Sequence, residues 1–217
     1  KIQAFYPFLG TTAAQHKWNA KNPLDTNAAF RLQFFGGGTH SNLGYQCNGT
    51  NAYANTFLVP SAVQNLNSNG LTVAVGTNNL ANAIYSVELG SYSSNTSISF
   101  ISSKLTNSGN ERACALFDNT KRISVSGVND AKGVFTGTKI ASVLHKMFRN
   151  AMQIGSGTGG GVLPNSSYLI GAQKSNEGFS NQRIQFTAIH EGLTDAEVVA
   201  LHTIIDNFET AIGRKTW

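Results

Sequence analysis

The chain has 217 residues, 41% hydrophobic and 12% charged, enough apolar material for a substantial core but only about half the usual share of charge. That scarcity excludes a coiled coil or a long solvated helix bundle, and 13 Phe, 6 Tyr and 2 Trp exclude highly charged disorder. The net charge of +5 reflects 16 Lys and Arg against 11 Asp and Glu, scattered without a basic stripe among aromatics, so nucleic acid is not an expected partner.

The opening residues lack the apolar run of a signal peptide, and no apolar window is long enough for a membrane helix, so no membrane partner is expected. A start at Lys1, not Met, reads as processing, tagging or excision from something longer. Patterning then predicts strands over 2–8, 28–35, 44–47, 52–58, 71–77, 83–90, 96–103, 112–117, 122–125, 133–138, 142–149, 167–171 and 182–190. Polar and apolar residues alternate from Ser97 to Ser102 and from Arg122 to Ser126, which predicts strands with one face on a core and one in solvent. Turns are expected at Asn48-Gly49, Asn69-Gly70, Asn78-Asn79, Ser108-Gly109-Asn110 and Asn129-Asp130. Cys47 and Cys114 fall in apolar runs, so they form one bridge or stay two buried thiols, and the surroundings favour thiols. The glycine-rich stretch 155–161 reads as a flexible loop.

The last segment changes period. Thr194 and Glu197 form a capping box, Leu193 and Val198 are placed as a hydrophobic staple, and Val198, Leu201, Ile205, Phe208 and Ile212 recur at helical spacing. Gly213 supplies a left-handed stop, and Arg214 and Lys215 suit the negative end of the dipole. One amphipathic helix over 194–212, packed on the strands, is expected, and the whole of 1–217 reads as one domain: an all-β antiparallel β-sandwich closed by that helix.

Three C-terminal elements carry a resemblance. Lys146-Met147-Phe148-Arg149-Asn150-Ala151, then Tyr168-Leu169-Ile170-Gly171-Ala172, then Phe179 and Arg183-Ile184-Gln185-Phe186 with Leu193-Thr194-Asp195-Ala196-Glu197-Val198 resemble the closing elements of laminin-G-like domains in the concanavalin A-like lectin/glucanase superfamily. The match covers about the last third, and Ala151 departs from it where a turn glycine is usual. The resemblance implies an antiparallel jelly-roll β-sandwich: two packed sheets whose first and last strands meet. The opening, with Ala4-Phe5-Tyr6-Pro7-Phe8, His16-Lys17-Trp18-Asn19, Asn22-Pro23 and Ala29-Phe30-Arg31, resembles jelly rolls of tailed-phage structural proteins. That second likeness implies a virion protein of head, fibre or tail, a homo-oligomer or a subunit among other virion subunits.

The chemistry is sparse. Superfamily hydrolases set paired carboxylates on one strand, whereas Glu191, Asp195 and Glu197 fall at the start of the helix and Glu88 stands alone, so no catalytic residues and no enzyme are expected. Asp118-Asn119 and Asn129-Asp130 read as turn pairs and not as calcium ligands, and the five histidines show no metal spacing, so no metal and no cofactor are expected. What remains is binding. Trp18, Tyr45, Tyr53, Tyr85 and Tyr92 sit among Asn and Ser, the pairing of aromatic faces and amides that reads sugars, although a jelly roll also needs aromatics for its core. The expected function is a non-enzymatic structural or decoration module of a virion, with a lectin-like module that binds host-surface glycans as the alternative. A glycoside hydrolase comes third.

Overall fold

The structure, a computed structural model, describes residues 1–79, 86–105, 110–142 and 144–217. In chain order β1 (Ile2–Tyr6), α1 (Ala13–His16), β2 (Gln33–Phe35), β3 (Thr39–Ser41), β4 (Gly44–Gln46), β5 (Tyr53–Asn55) and α2 (Pro60–Val63) come first. They are followed by β6 (Asn69–Val75), β7 (Leu89–Ser94), β8 (Ser97–Leu105), β9 (Glu111–Leu116), β10 (Ile123–Val125), β11 (Gly133–Lys139) and β12 (Leu144–Arg149). Then come β13 (Met152–Thr158), β14 (Leu169–Ile170), β15 (Arg183–His190) and α3 (Asp195–Ala211).

These strands form two antiparallel sheets. One runs β13-β12-β11-β6-β15-β4-β3, and the other β10-β9-β8-β7-β14-β5-β2. β15 shares one edge between β4, at Arg183 and Ile184, and β1, at Thr187 to His190, so the first and last strands meet as expected. The sheets pack face to face around one apolar layer. Tyr45, Leu71, Val73, Val75, Phe135 and Met147 of the first sheet meet Ala54, Leu89, Ile101, Cys114, Leu116 and Ile170 of the second. This is a jelly-roll β-sandwich. Both cysteines are buried free thiols in that layer, and burial pushes the Cys114 thiol up to about 12.

α3 lies across the outside of the first sheet. Ile205 packs with Ala74, Val134, Phe186 and Ala188, while Leu193 and Val198 close the staple over Phe148. The capping box forms: Thr194 Oγ1 accepts from the Glu197 amide, and Glu197 Oε2 accepts from the Thr194 amide at 2.8 Å. Gly213, at φ 70°, ends the helix. Arg214 does not sit free at the dipole. It is buried, forms a bidentate pair with Glu209, and donates to the carbonyls of Phe8, Pro7 and Gln185, which ties the helix end to both β1's exit and β15. Ile212, expected on the apolar stripe, is exposed because it caps the helix beyond the sheet.

A polar chain crosses the sheet beneath α3. The Ala151 amide donates to His202 Nδ1 at 2.6 Å, which places that ring's proton on Nε2. His202 Nε2 therefore donates to Thr136 Oγ1 at 2.8 Å, Thr136 to Thr72 Oγ1 at 2.7 Å, and Thr72 to His190 Nε2 at 2.9 Å. His190 Nδ1 donates onward to the Glu191 carbonyl at 2.7 Å. Every link points one way, and both rings are neutral. Burial holds each well below the ordinary imidazole value, at about 4.

Several expectations are corrected. β8 is buried along all nine residues, because Ile98 and Phe100 join an apolar cluster on the outer side of the second sheet. Asn69-Gly70 is not a turn but the start of β6; the turn falls at 65–68, and a Cβ at Gly70 would stand 2.3 Å from His190 Cε1. Residues 155–158 are not loop but part of edge strand β13, which passes so close to β10 that a Cβ at Gly155 would meet Ile123 Cγ2 at 2.5 Å. The strand expected over 28–35 keeps only its last three residues, since Asn27–Ala29 form a 3-10 turn capped by Thr26. Ser108-Gly109-Asn110 and the strand over 83–90 fall partly outside the described residues.

Candidate functional site

The second sheet's outer face is set by its register. Ala54, Ile170 and Leu89 stand level and point into the core, so their neighbours Asn55, Leu169 and Gly90, also level, point outward. Period two then puts Tyr53 and Tyr92 on that same outer face, with Phe35 beside Tyr53 across the β2–β5 pair.

Two aromatic stations result. At the first, Tyr92 is half-buried on the outer apolar cluster, with Lys174 Nζ 4.0 Å from its ring centroid. Lys174 also pairs with Glu177 at 2.6 Å across a tight turn. A cleft of about 380 Å³ opens here, lined by Tyr92, Leu169, Asn55, Ser166, Ser167 and Gln173, with Lys174, Ser175 and Asn176 on its wall. A smaller recess of about 160 Å³ adjoins it on Tyr92, Gln173 and Lys174, with Asn95, Asn119 and Glu177. At the second station Tyr53 stacks on Phe35, centroids 4.9 Å apart and planes 19° from parallel, and Phe179 backs it at 6.3 Å. Phe35 remains 37% exposed.

Amides and hydroxyls converging on the ring, with the Lys174 ammonium over its face, can read a ligand rich in hydroxyls that lies against the ring. The Lys174–Glu177 pair is exposed and worth at most about 1 kcal/mol, so the ammonium is free to turn from Glu177 toward a ligand. Glu177 is the one carboxylate lining either recess among the described residues.

Of the residues singled out from sequence, Tyr53 and Tyr92 thus share a face. Tyr45 does not join them. It is fully buried between Phe8, Phe34 and His40, because β4 pairs with β15 and turns that ring into the sandwich. Trp18 lies elsewhere, half-buried under Lys17 in a largely apolar recess of about 300 Å³ with Pro7, Leu9 and Pro23. Tyr85 lies outside the described residues. The sequence pointed at none of Phe35, Asn55, Ser166, Gln173 or Lys174. Asn55 was within reach, as it follows Tyr53 at strand spacing; the others come from segments that only the fold brings together.

The acids take structural places. Asp118 caps the turn Asn119–Lys121 by accepting from the Thr120 amide, Asp130 pairs with Arg149, Asp195 with Lys146, and Glu197 with Lys1 and the cap. Glu88 is sealed inside the second sheet, where its carboxyl accepts from the Ser103 amide at 2.6 Å and Ser180 Oγ at 2.9 Å; burial pushes it up to about 7. No group of three or more His, Cys, Asp or Glu able to hold a metal occurs among the described residues. His16 and His40 touch through their Nδ1 atoms at 3.0 Å, next to Phe8 and Phe34, and burial lowers His40 to about 4.

No protein-family model matches this chain, and no curated protein sequence matches it. Solved structures do. Domain 4 of AbnA, a GH43 extracellular arabinanase from Geobacillus stearothermophilus solved in complex with arabinotriose, superposes with a TM-score of 0.64 over 93% of this chain and 98% of that one, at 13% identity. The fold is shared. The botulinum neurotoxin serotype D binding domain follows at TM-score 0.55 and 11% identity, over 93% of this chain and 50% of that one. The receptor binding domain of the botulinum neurotoxin C/D mosaic serotype gives 0.52 and 10%, over 81% of this chain and 47% of that one. This chain therefore spans about half the length of the neurotoxin chains it matches.

Proposed function

We propose that residues 1–217 form one laminin-G-like jelly-roll domain of the concanavalin A-like group that binds carbohydrate, without cleaving it, on the outer face of the second sheet. The observation that carries this reading is the cleft in which Tyr92 meets Asn55, Ser166, Ser167, Gln173 and Lys174. It joins an aromatic body to converging hydroxyl, amide and ammonium groups, which is what a sugar needs and an apolar ligand does not. The sugar-bound arabinanase domain of the same fold adds to it. Binding without cleavage fits a cleft whose one carboxylate, Glu177, already pairs with Lys174, since hydrolysis takes an acid and a second carboxylate across the bond. Glycan-array screening followed by calorimetry tests this. Tyr92→Ala is expected to lower affinity for the retained glycan at least about tenfold, or about 1.4 kcal/mol, with an unchanged far-ultraviolet spectrum. Unchanged affinity would remove the cleft from the function.

A second reading, a structural module of a virion that assembles with other subunits or with itself, draws on a different surface. Between β1 and α3 runs a groove of about 430 Å³ lined only by apolar side chains, among them Ile2, Phe5, Leu9, Leu201, Ile204 and Phe208. Ile204 is 65% exposed there. A face of this kind suits a protein partner, and the two readings use opposite sides of the sandwich.

A further inference from the structure

Resting on the carbohydrate reading, we infer that the ligand of this face is a linear oligosaccharide that runs diagonally from the Tyr92 cleft to the Tyr53–Phe35 pair, and not a single sugar unit. The register supplies the span. Asn55 and Gly90 both stand opposite Leu169, and β5 and β7, each antiparallel to β14, run the same way. Tyr53 lies two residues before Asn55, and Tyr92 two residues after Gly90. Four residues along the strands and two strands across make about 13 Å by about 10 Å, a diagonal of ~16 Å. One pyranose or furanose ring cannot touch both stations; a chain of several can.

The ground between the stations suits that path. Asn55 and Leu169 lie along it and line the cleft. Gln33, on the same face of β2 as Phe35 and directly opposite Asn55, extends the polar margin. On the other flank the segment through Gln173 covers Gly90, where a Cβ would meet the Gln173 Cα at 3.2 Å, and so forms a wall that turns the ligand toward β5. A rigid sheet holds both stations, so a sugar chain fixed at Tyr92 presents its next rings to Tyr53 and Phe35 at high effective concentration.

The test uses the full chain and arrayed mono- to hexasaccharides of arabinan, glucan, galactan and mannan backbones, with calorimetry on whichever series is retained. Affinity is expected to rise steeply with length until the chain reaches the second station and then to level off. Phe35→Ala and Tyr53→Ala should each lower affinity for the long members about tenfold while leaving the shortest bound member unchanged. Should Tyr53→Ala fail to fold, Phe35→Ala, on an exposed edge strand, still decides. Binding that is independent of length, or indifferent to Phe35→Ala, overturns this inference and leaves the carbohydrate reading standing. No binding in any series, with the wild-type chain folded, overturns both.

Discussion

Tyr45 shows how a single side chain departs from its sequence context. Within the strand predicted over 44–47 it stands among the candidate sugar-binding aromatics, yet its ring fills the sandwich and its hydroxyl is buried with no hydrogen-bond partner among the described residues. A buried hydroxyl left unpaired costs about 1–3 kcal/mol, whereas the ring's packing is unaffected by its loss. Tyr45→Phe is therefore expected to stabilise the fold by about 1 kcal/mol, read as a higher urea midpoint at unchanged slope, and to leave glycan binding untouched. Destabilisation would show that the hydroxyl has a partner after all. Ala151 is the converse case. At φ 68°, after Asn150 at φ 48°, it occupies the second left-handed position of a two-residue hairpin where glycine is favoured. Its amide, pointed at His202 by that turn, starts the polar chain beneath α3.

That chain makes the docking of α3 depend on pH. His190 and His202 sit near 4 in the fold against 6.5 in the open chain, so between those values the unfolded state binds more protons and stability rises with pH. The stabilisation is complete above about pH 6.5 and lost as pH falls toward 4, on the order of 3 kcal/mol per ring. Protonation also breaks the one-way order: a proton on His190 Nε2 leaves Thr72 nothing to donate to, and one on His202 Nδ1 opposes the Ala151 amide. His16, His40 and His145, also lowered by burial, act in the same sense. Glu88 acts in the other. Raised from 4.5 to about 7, it binds more protons in the fold, so its contribution is complete below about pH 4.5 and lost as pH rises through 7. Stability should therefore peak near neutrality, with a steep acid limb and a shallow alkaline one. In urea titrations across pH 4 to 8, Glu88→Gln is expected to steepen the rise between pH 4.5 and 7 and to remove the decline above it. A variant that keeps both limbs would remove Glu88 from the account.

At the scale of the whole molecule the two broad faces differ in kind. The first sheet's outer side is covered by α3, fastened at one end by the capping box and at the other by Arg214, and it leaves an apolar groove against β1. The second sheet's outer side carries the polar cleft and the aromatic stations. A protein that assembles through one side and binds glycans through the other can do both at once. The assembly reading predicts that the chain co-sediments with virions of its source and self-associates in sedimentation equilibrium, with Ile204→Asp reducing the association. A chain that is monomeric at micromolar concentration and absent from purified particles would end it.

Local chemistry alone determined the last helix, because the Thr194–Glu197 box, the staple and Gly213 are interactions between near neighbours that any fold would respect. It also determined the class: strands every ten or so residues, little charge and many turn formers leave few architectures other than a sandwich. What it did not contain is which face of each strand meets which partner. The outward placement of Tyr92 and Tyr53, the inward one of Tyr45, the burial of both faces of β8 and the conversion of a glycine run into β13 all depend on register across strands far apart in sequence. Side-chain direction alternates residue by residue, so only pairing between distant strands decides whether an aromatic becomes core or binding surface.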